Sequence, residues 1–272
     1  MSGRSSVTGR LEGMQIPVYQ VDAFTSRPFG GNPAAVCPLD SWLPDETLQS
    51  IALENNLSET AYIVKENGRL GIRWFTPATE VDLCGHATLA SAYVLFQELG
   101  HKEDLIRFDS KSGELRVTRA GDLLALDFPA RPPQPAELPA EILSALGGTP
   151  LEIYKARDYM VVYANEEEVR GLSPDMDRLM KFDAFAFIVT ATGDHSDFVS
   201  RFFAPRGGIP EDPVTGSAHC TLIPFWAKRF GKNSLYALQV SRRGGELFCE
   251  LRGDRVSIAG RAALFLKGTI YL

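Results

Sequence analysis

Apolar and polar residues alternate from Ile16 to Ala23, a period of two that predicts a strand. A turn cluster, Pro28-Phe29-Gly30-Gly31-Asn32-Pro33, separates it from a short apolar strand at 34–37. The period then changes. From Pro44 to Glu54, Leu48, Ile51 and Ala52 share one face and Asp45 and Glu46 fill the first turn, which predicts a helix stopped by Asn55-Asn56. Strands follow at 61–64 and 70–75, paired across Asn67-Gly68. The segment from Gly85 to Leu99 is apolar nearly all round and ends at Gly100. A helix with no polar face is buried, and this one is too short to cross a membrane. Strands at 106–110, 114–119 and 123–128 read as a meander, and five prolines between Pro129 and Pro139 mark a boundary. Beyond it the pattern predicts a helix at 140–146, strands at 151–156 and 159–164, and a helix at 173–182 with Ser173 as N-cap and Pro174 at N1. Strands at 184–190 and 198–203 precede a second apolar helix, 216–230, closed by Gly231. Strands at 238–241, 246–252 and 255–259 and a strand-like end, 262–272, complete the chain.

The two apolar helices open alike. Arg73-Trp74-Phe75-Thr76-Pro77 leads to Asp82-Leu83-Cys84-Gly85-His86-Ala87, and Arg201-Phe202-Phe203-Ala204-Pro205 leads to Asp212-Pro213-Val214-Thr215-Gly216-Ser217-Ala218. Further on, Ser112-Gly113-Glu114-Leu115 resembles Gly244-Gly245-Glu246-Leu247. Three anchors in one order, at a near-constant spacing of about 130 residues, indicate duplicated domains rather than a solenoid. The expected architecture is α+β: two pseudo-symmetric domains from an internal duplication, each a mixed, mostly antiparallel sheet wrapped around a central buried helix. The domains expected are 14–128 and 129–261, with 1–13 a disordered extension or tag. A helix start built from small residues exposes N–H groups and the positive dipole end, so two of them suit one anionic ligand, such as a carboxylate, between the halves.

Composition narrows the partners. A net charge of −6 argues against nucleic acid, whose phosphates require a basic face. No apolar run is long enough for a membrane span, and the polar opening is not a secretory signal. The four cysteines are widely spaced, with neither a zinc pattern nor a disulfide framework, which fits a reduced cytoplasmic setting.

Candidate chemistry lies around the helix starts. Glu59, between a helix end and a strand, is placed to shuttle a proton; the alternative is a solvated loop glutamate. Asp212, held extended by Pro213, is either a second acid or a helix cap. His86, in a first turn, is expected as a neutral hydrogen-bond donor, because the dipole disfavours its charged form. Cys84 precedes a helix start, where a thiolate is favoured. A two-thiol epimerase would need its partner at Thr215, so Cys84 is read as a small buried side chain.

Four motifs in order, Gly31-Asn32-Pro33, Asn56-Leu57-Ser58-Glu59, Phe75-Thr76-Pro77 with Cys84-Gly85-His86-Ala87, and Glu211 through Ala218, resemble the phenazine-biosynthesis PhzF-like isomerase family from about residue 14 onward. The resemblance implies the diaminopimelate-epimerase-like fold, with the last strand, 262–272, returning to the first domain. It implies a cofactor-free, metal-free isomerase, usually a homodimer, acting on a small carboxylated substrate; phenazine-pathway members isomerise trans-2,3-dihydro-3-hydroxyanthranilate. Glu59 falls on the catalytic glutamate, His86 and Asp212 on assisting residues, and Asn32, Gly85, Gly216 and Ser217 on substrate-binding positions. Cys84 stands where the pathway enzyme has another residue, which leaves the substrate open. An amino-acid racemase or epimerase, and a non-catalytic small-molecule-binding or scaffold protein, remain as alternatives.

Overall fold

The two halves repeat one strand order around two helices, and both helix starts face the seam. The structure, a computed structural model, describes residues 13–272. The extension expected at 1–13 lies outside the described residues except for Gly13, which is tied into the fold: its N–H donates to the Leu272 carbonyl at 2.8 Å.

In the first half, strand Asn32–Leu39 runs parallel to Glu59–Glu66, which pairs antiparallel with Arg69–Phe75. Arg69–Phe75 runs parallel to Leu105–Ser110, and the antiparallel strands Gly113–Ala120 and Leu123–Pro129 follow. The second half repeats these relations in order with Tyr159–Val162, Phe187–Thr192, Phe198–Ala204, Ser234–Gln239, Gly245–Arg252 and Arg255–Gly260. The last strands of the two repeats, Leu123–Pro129 and Arg255–Gly260, pair antiparallel with each other, with Leu126 opposite Ile258, so equivalent strands form the seam. Ala262–Tyr271 then pairs along the whole of Gln15–Ala23, carrying the end of the chain back to its beginning.

Each sheet curves around one helix. The first starts at Gly85, where the expected helix to Leu99 stays α-helical only to Tyr93. Val94–Glu98 widens into a π turn, closed by the Leu99 N–H on the Val94 carbonyl at 3.0 Å. Three consecutive buried side chains, Val94, Leu95 and Phe96, sit in that turn. The second helix, Gly216–Phe230, contains Pro224, which has no N–H to give the Cys220 carbonyl one turn back. The Arg131 N–H takes that carbonyl at 2.8 Å, so the proline-rich segment between the halves is fastened to the second helix.

Local boundaries differ in four places. The helix expected at 173–182 is only Met176–Met180, and its cap is Asp175, whose side chain accepts from the Arg178 N–H at 3.1 Å. Ser173 precedes a proline, which disfavours a helical backbone there. A helix not foreseen, Glu166–Gly171, precedes it and is capped by Asn165. The strands expected at 184–190 and 238–241 are Phe187–Thr192 and Ser234–Gln239.

Candidate active site

Glu59 is not a solvated loop residue. It opens strand Glu59–Glu66, where parallel pairing with Ala34 fixes its backbone, and it is 9% exposed. His86 is the second residue of the first central helix and 5% exposed. Its Nε2 lies 3.0 Å from Glu59 Oε2, yet neither atom has a hydrogen bond of good geometry among the described residues. Two buried polar atoms left unsatisfied side by side are costly and mark a place where a ligand completes the bonding.

Asn32 brings in the other half. Its Nδ2 donates to Asp212 Oδ1 at 2.7 Å and to the Val214 carbonyl at 3.0 Å, and its Oδ1 accepts from Ser58 Oγ at 3.2 Å. The same Nδ2 lies 3.2 Å from His86 Nδ1. Asp212 is therefore the far wall of the site, and it does not cap the helix: Thr215 occupies the cap position, and its hydroxyl donates to Asp212 Oδ2 at 2.5 Å. Gln239 steadies that corner, accepting from the Thr215 N–H at 2.8 Å and donating to the Asp212 carbonyl at 2.8 Å.

The two helix starts meet. A Cβ built on Gly85 would lie 3.6 Å from Gly216 Cα. Neither helix has a side-chain cap bond, so the first N–H groups of both remain available to an anion. Ser217 sits half-buried in the first turn of the second helix.

Charge follows from burial and from these neighbours. Burial pushes Asp212 up to about 6, opposed by His86, Thr215 and Asn32. Burial alone would push His86 down, but Cys84 and the Glu59 carboxylate raise it, and the net direction is up. Burial and Glu59 push the Cys84 thiol up to about 11, so it keeps its proton at neutral pH. The favoured thiolate expected at the helix start is corrected: the dipole argument considered the helix alone, and burial together with Glu59 outweighs it for Cys84.

Cys84 is more than filler, since its Sγ lies 3.5 Å from His86 Nδ1. Donor atoms of Glu59, Cys84 and His86 all fall within 4.8 Å of one another. Glu59 approaches Nε2 at 3.0 Å and Cys84 approaches Nδ1 at 3.5 Å, so the two partners engage different ring nitrogens. The residues not foreseen were Ser58, Thr215, Gln239 and Arg243. Arg243 donates to the Gly30 and Gly31 carbonyls, both at 2.8 Å, and to buried Asp22 at 2.9 Å, pinning the loop before Asn32 from the other half. The Arg-Gly-Gly run beside the third repeat anchor was the one sequence signal for it.

The family described as phenazine biosynthesis-like protein matches residues 21–268. The chain belongs to that family. Among its relatives, an uncharacterized isomerase of Pseudomonas aeruginosa is 53% identical over 259 residues, covering 95% of this chain and 100% of the relative. The human phenazine biosynthesis-like domain-containing protein is 42% identical over 286 residues, covering 94% of this chain and 99% of its own length. A PhzF-family crystal structure from Enterococcus faecalis superposes with a TM-score of 0.94 at 50% identity, covering 95% of this chain and 100% of the other. A hydroxyproline epimerase from Agrobacterium vitis, at a TM-score of 0.58 and 10% identity, shares the fold alone. Among the described residues no helix is long and apolar enough to cross a membrane.

Proposed function

We propose that this PhzF-family protein is a cofactor-independent isomerase that moves a proton between two carbons of a small carboxylated substrate. The observation that carries the reading is the buried, unsatisfied pair Glu59 Oε2 and His86 Nε2, set where two uncapped helix starts meet. The substrate carboxylate takes the N–H groups around Gly85, Gly216 and Ser217, where both dipoles favour negative charge. Glu59 accepts a proton from one carbon and returns it to another, a task suited to a carboxylate that is nine-tenths out of water. Protonated His86 steadies the Glu59 carboxylate and donates toward the charge that builds on the substrate. Asp212, held by Asn32 and Thr215, orients the substrate's polar end.

An amino-acid racemase needs a base on each face of one carbon. The repeat position equivalent to Cys84 is Thr215, whose hydroxyl is committed to Asp212, and this favours the one-carboxylate isomerase. The test is proton NMR in D₂O on a panel of small carboxylates that includes trans-2,3-dihydro-3-hydroxyanthranilate, with wild type and Glu59→Gln. Double-bond migration with deuterium uptake, lost in Glu59→Gln, is the expected result. Uptake that persists undiminished in Glu59→Gln would overturn the assignment of the base.

A further inference from the structure

Two side-chain atoms approach His86 Nδ1, Asn32 Nδ2 and Cys84 Sγ, and counting hydrogens decides which one pairs with it. Asn32 Nδ2 carries two hydrogens. One goes to Asp212 Oδ1 at 2.7 Å and the other to the Val214 carbonyl at 3.0 Å. The amide cannot be turned round, because Val214 O only accepts and Ser58 Oγ donates to Asn32 Oδ1 at 3.2 Å. The 3.2 Å approach of Asn32 Nδ2 to His86 Nδ1 therefore has no hydrogen left to share. Cys84 Sγ, at 3.5 Å, is the remaining partner. A thiol is a weak donor and a weak acceptor, so it can serve either charge state of the ring.

We propose that Cys84 is a positioning residue that pairs with His86 Nδ1 and so keeps a hydrogen on His86 Nε2, available to the substrate. When the ring is charged, Nδ1–H donates to the sulfur. When the ring is neutral, S–H donates to Nδ1, and the one ring hydrogen stays on Nε2. A carboxylate in place of Cys84 would add a second negative charge beside Glu59 in a buried site. A serine hydroxyl would leave a wider gap, because a C–O bond is shorter than a C–S bond. The groups whose charge the ring feels are Glu59 from its strand, Cys84 from its own loop and Asp212 from the second half. The catalytic consequence rests on the isomerase reading; the pairing itself does not.

The test is the ring ¹⁵N spectrum of histidine-labelled protein followed against pH. The chain has four histidines, and a His86→Gln spectrum assigns the signal. In wild type the neutral His86 ring carries its hydrogen on Nε2. In Cys84→Ala the protonated ring loses the acceptor at Nδ1, so the titration midpoint falls by about one pH unit and the neutral ring becomes a mixture of tautomers. Cys84→Ser restores part of both, and answers the same question should Cys84→Ala fail to fold. On a turned-over substrate, Cys84→Ala lowers kcat and shifts its pH profile with little change in KM. A Cys84→Ala spectrum with the wild-type midpoint and tautomer would overturn the pairing. Absence of any turnover in wild type would count against the isomerase reading and leave the spectral result standing.

Discussion

Ahead of the first central helix, Arg73 grips Glu80 through two bonds of 2.7 and 2.8 Å; ahead of the second, Arg201 grips Glu211 through bonds of 2.7 and 3.0 Å. The fork, the parallel and antiparallel pairings around it, and the uncapped glycine start of the helix are common to both halves. The side chains that handle protons are not. Glu59 opens a strand in the first half; in the second, Phe187, wholly buried, opens the corresponding strand, and the register that sets Tyr62 opposite Arg73 and Val189 opposite Arg201 puts Ala186 at the place of Glu59. Cys84 and His86 correspond to Thr215 and Ser217, and Asp212 has an apolar counterpart in Val81. Duplication preserved the backbone that builds an anion site and the ion pairs that brace it. The titratable side chains diverged at a few positions, so in the proposed site the proton carrier comes from one half and the positioning acid from the other.

The largest expected difference between the halves is at their equivalent strand starts. Glu59→Gln reduces turnover about 100- to 10,000-fold with a near-native thermal transition. Phe187→Ala destabilises by about 3–5 kcal/mol while the folded fraction keeps its rate per molecule. Calorimetry together with an active-site-normalised assay separates the two.

Next comes Asp212. Its pKa rises from 3.8 unfolded to about 6 folded, so the stability linked to its proton is present below the lower value and lost as pH rises through the upper one. Asp212→Asn mimics the protonated form. It is more stable than wild type by up to about 3 kcal/mol above pH 7, and the advantage shrinks toward zero below about pH 4. Urea denaturation at three pH values measures this, and turnover falls in the same variant.

The forks give a smaller contrast. Arg73→Met and Arg201→Met each take the arginine fork from a partly buried glutamate, at about 2 kcal/mol, with Lys111 still paired to Glu80 in the first case. Arg201→Met costs more, because Arg201 also donates to the Leu172 carbonyl at 2.8 Å and to Val169 at 3.1 Å. Arg73 holds Glu80 down at about 2, so that contribution is present above 4.5 and lost as pH falls through 2. Arg73→Met flattens the acid end of the stability profile.

The smallest effect on stability is at the meeting point. An added methyl on Gly85 finds ordinary contact at 3.6 Å, so Gly85→Ala changes stability by about 0.5 kcal/mol or less. It crowds the helix start, and calorimetric titration is expected to show carboxylate affinity falling about tenfold.

Much of this was legible in the sequence because duplication writes itself twice. Arg73 and Arg201 announced equivalent strands, and the glycine-opened apolar helices announced a buried centre. The motifs pointed to Glu59, His86 and Asp212; the fold sets His86 Nε2 3.0 Å from Glu59 and joins Asp212 to the same site through its hydrogen bond with Asn32. What stayed hidden depends on distant partners. Glu59 reaches His86 from a distant strand, and the engagement of Cys84 follows from how Asn32 spends its hydrogens on the second half. Glu166–Gly171 was missed because six residues are too few for a helical period to show, and its buried Glu166 is held by Arg170 and the Asp194 N–H. The Ser173-Pro174 signal was real helix-start chemistry placed two residues early.

The most direct measurement of whether the halves build one site is a double-mutant cycle between Glu59→Asp and Asp212→Asn, read in the rate of substrate deuterium exchange. Both side chains serve the same bound substrate in this account, so the double variant should lose clearly less than the product of the two single losses. A loss equal to that product would mean that the two residues act independently, and would contradict a single site shared between the halves.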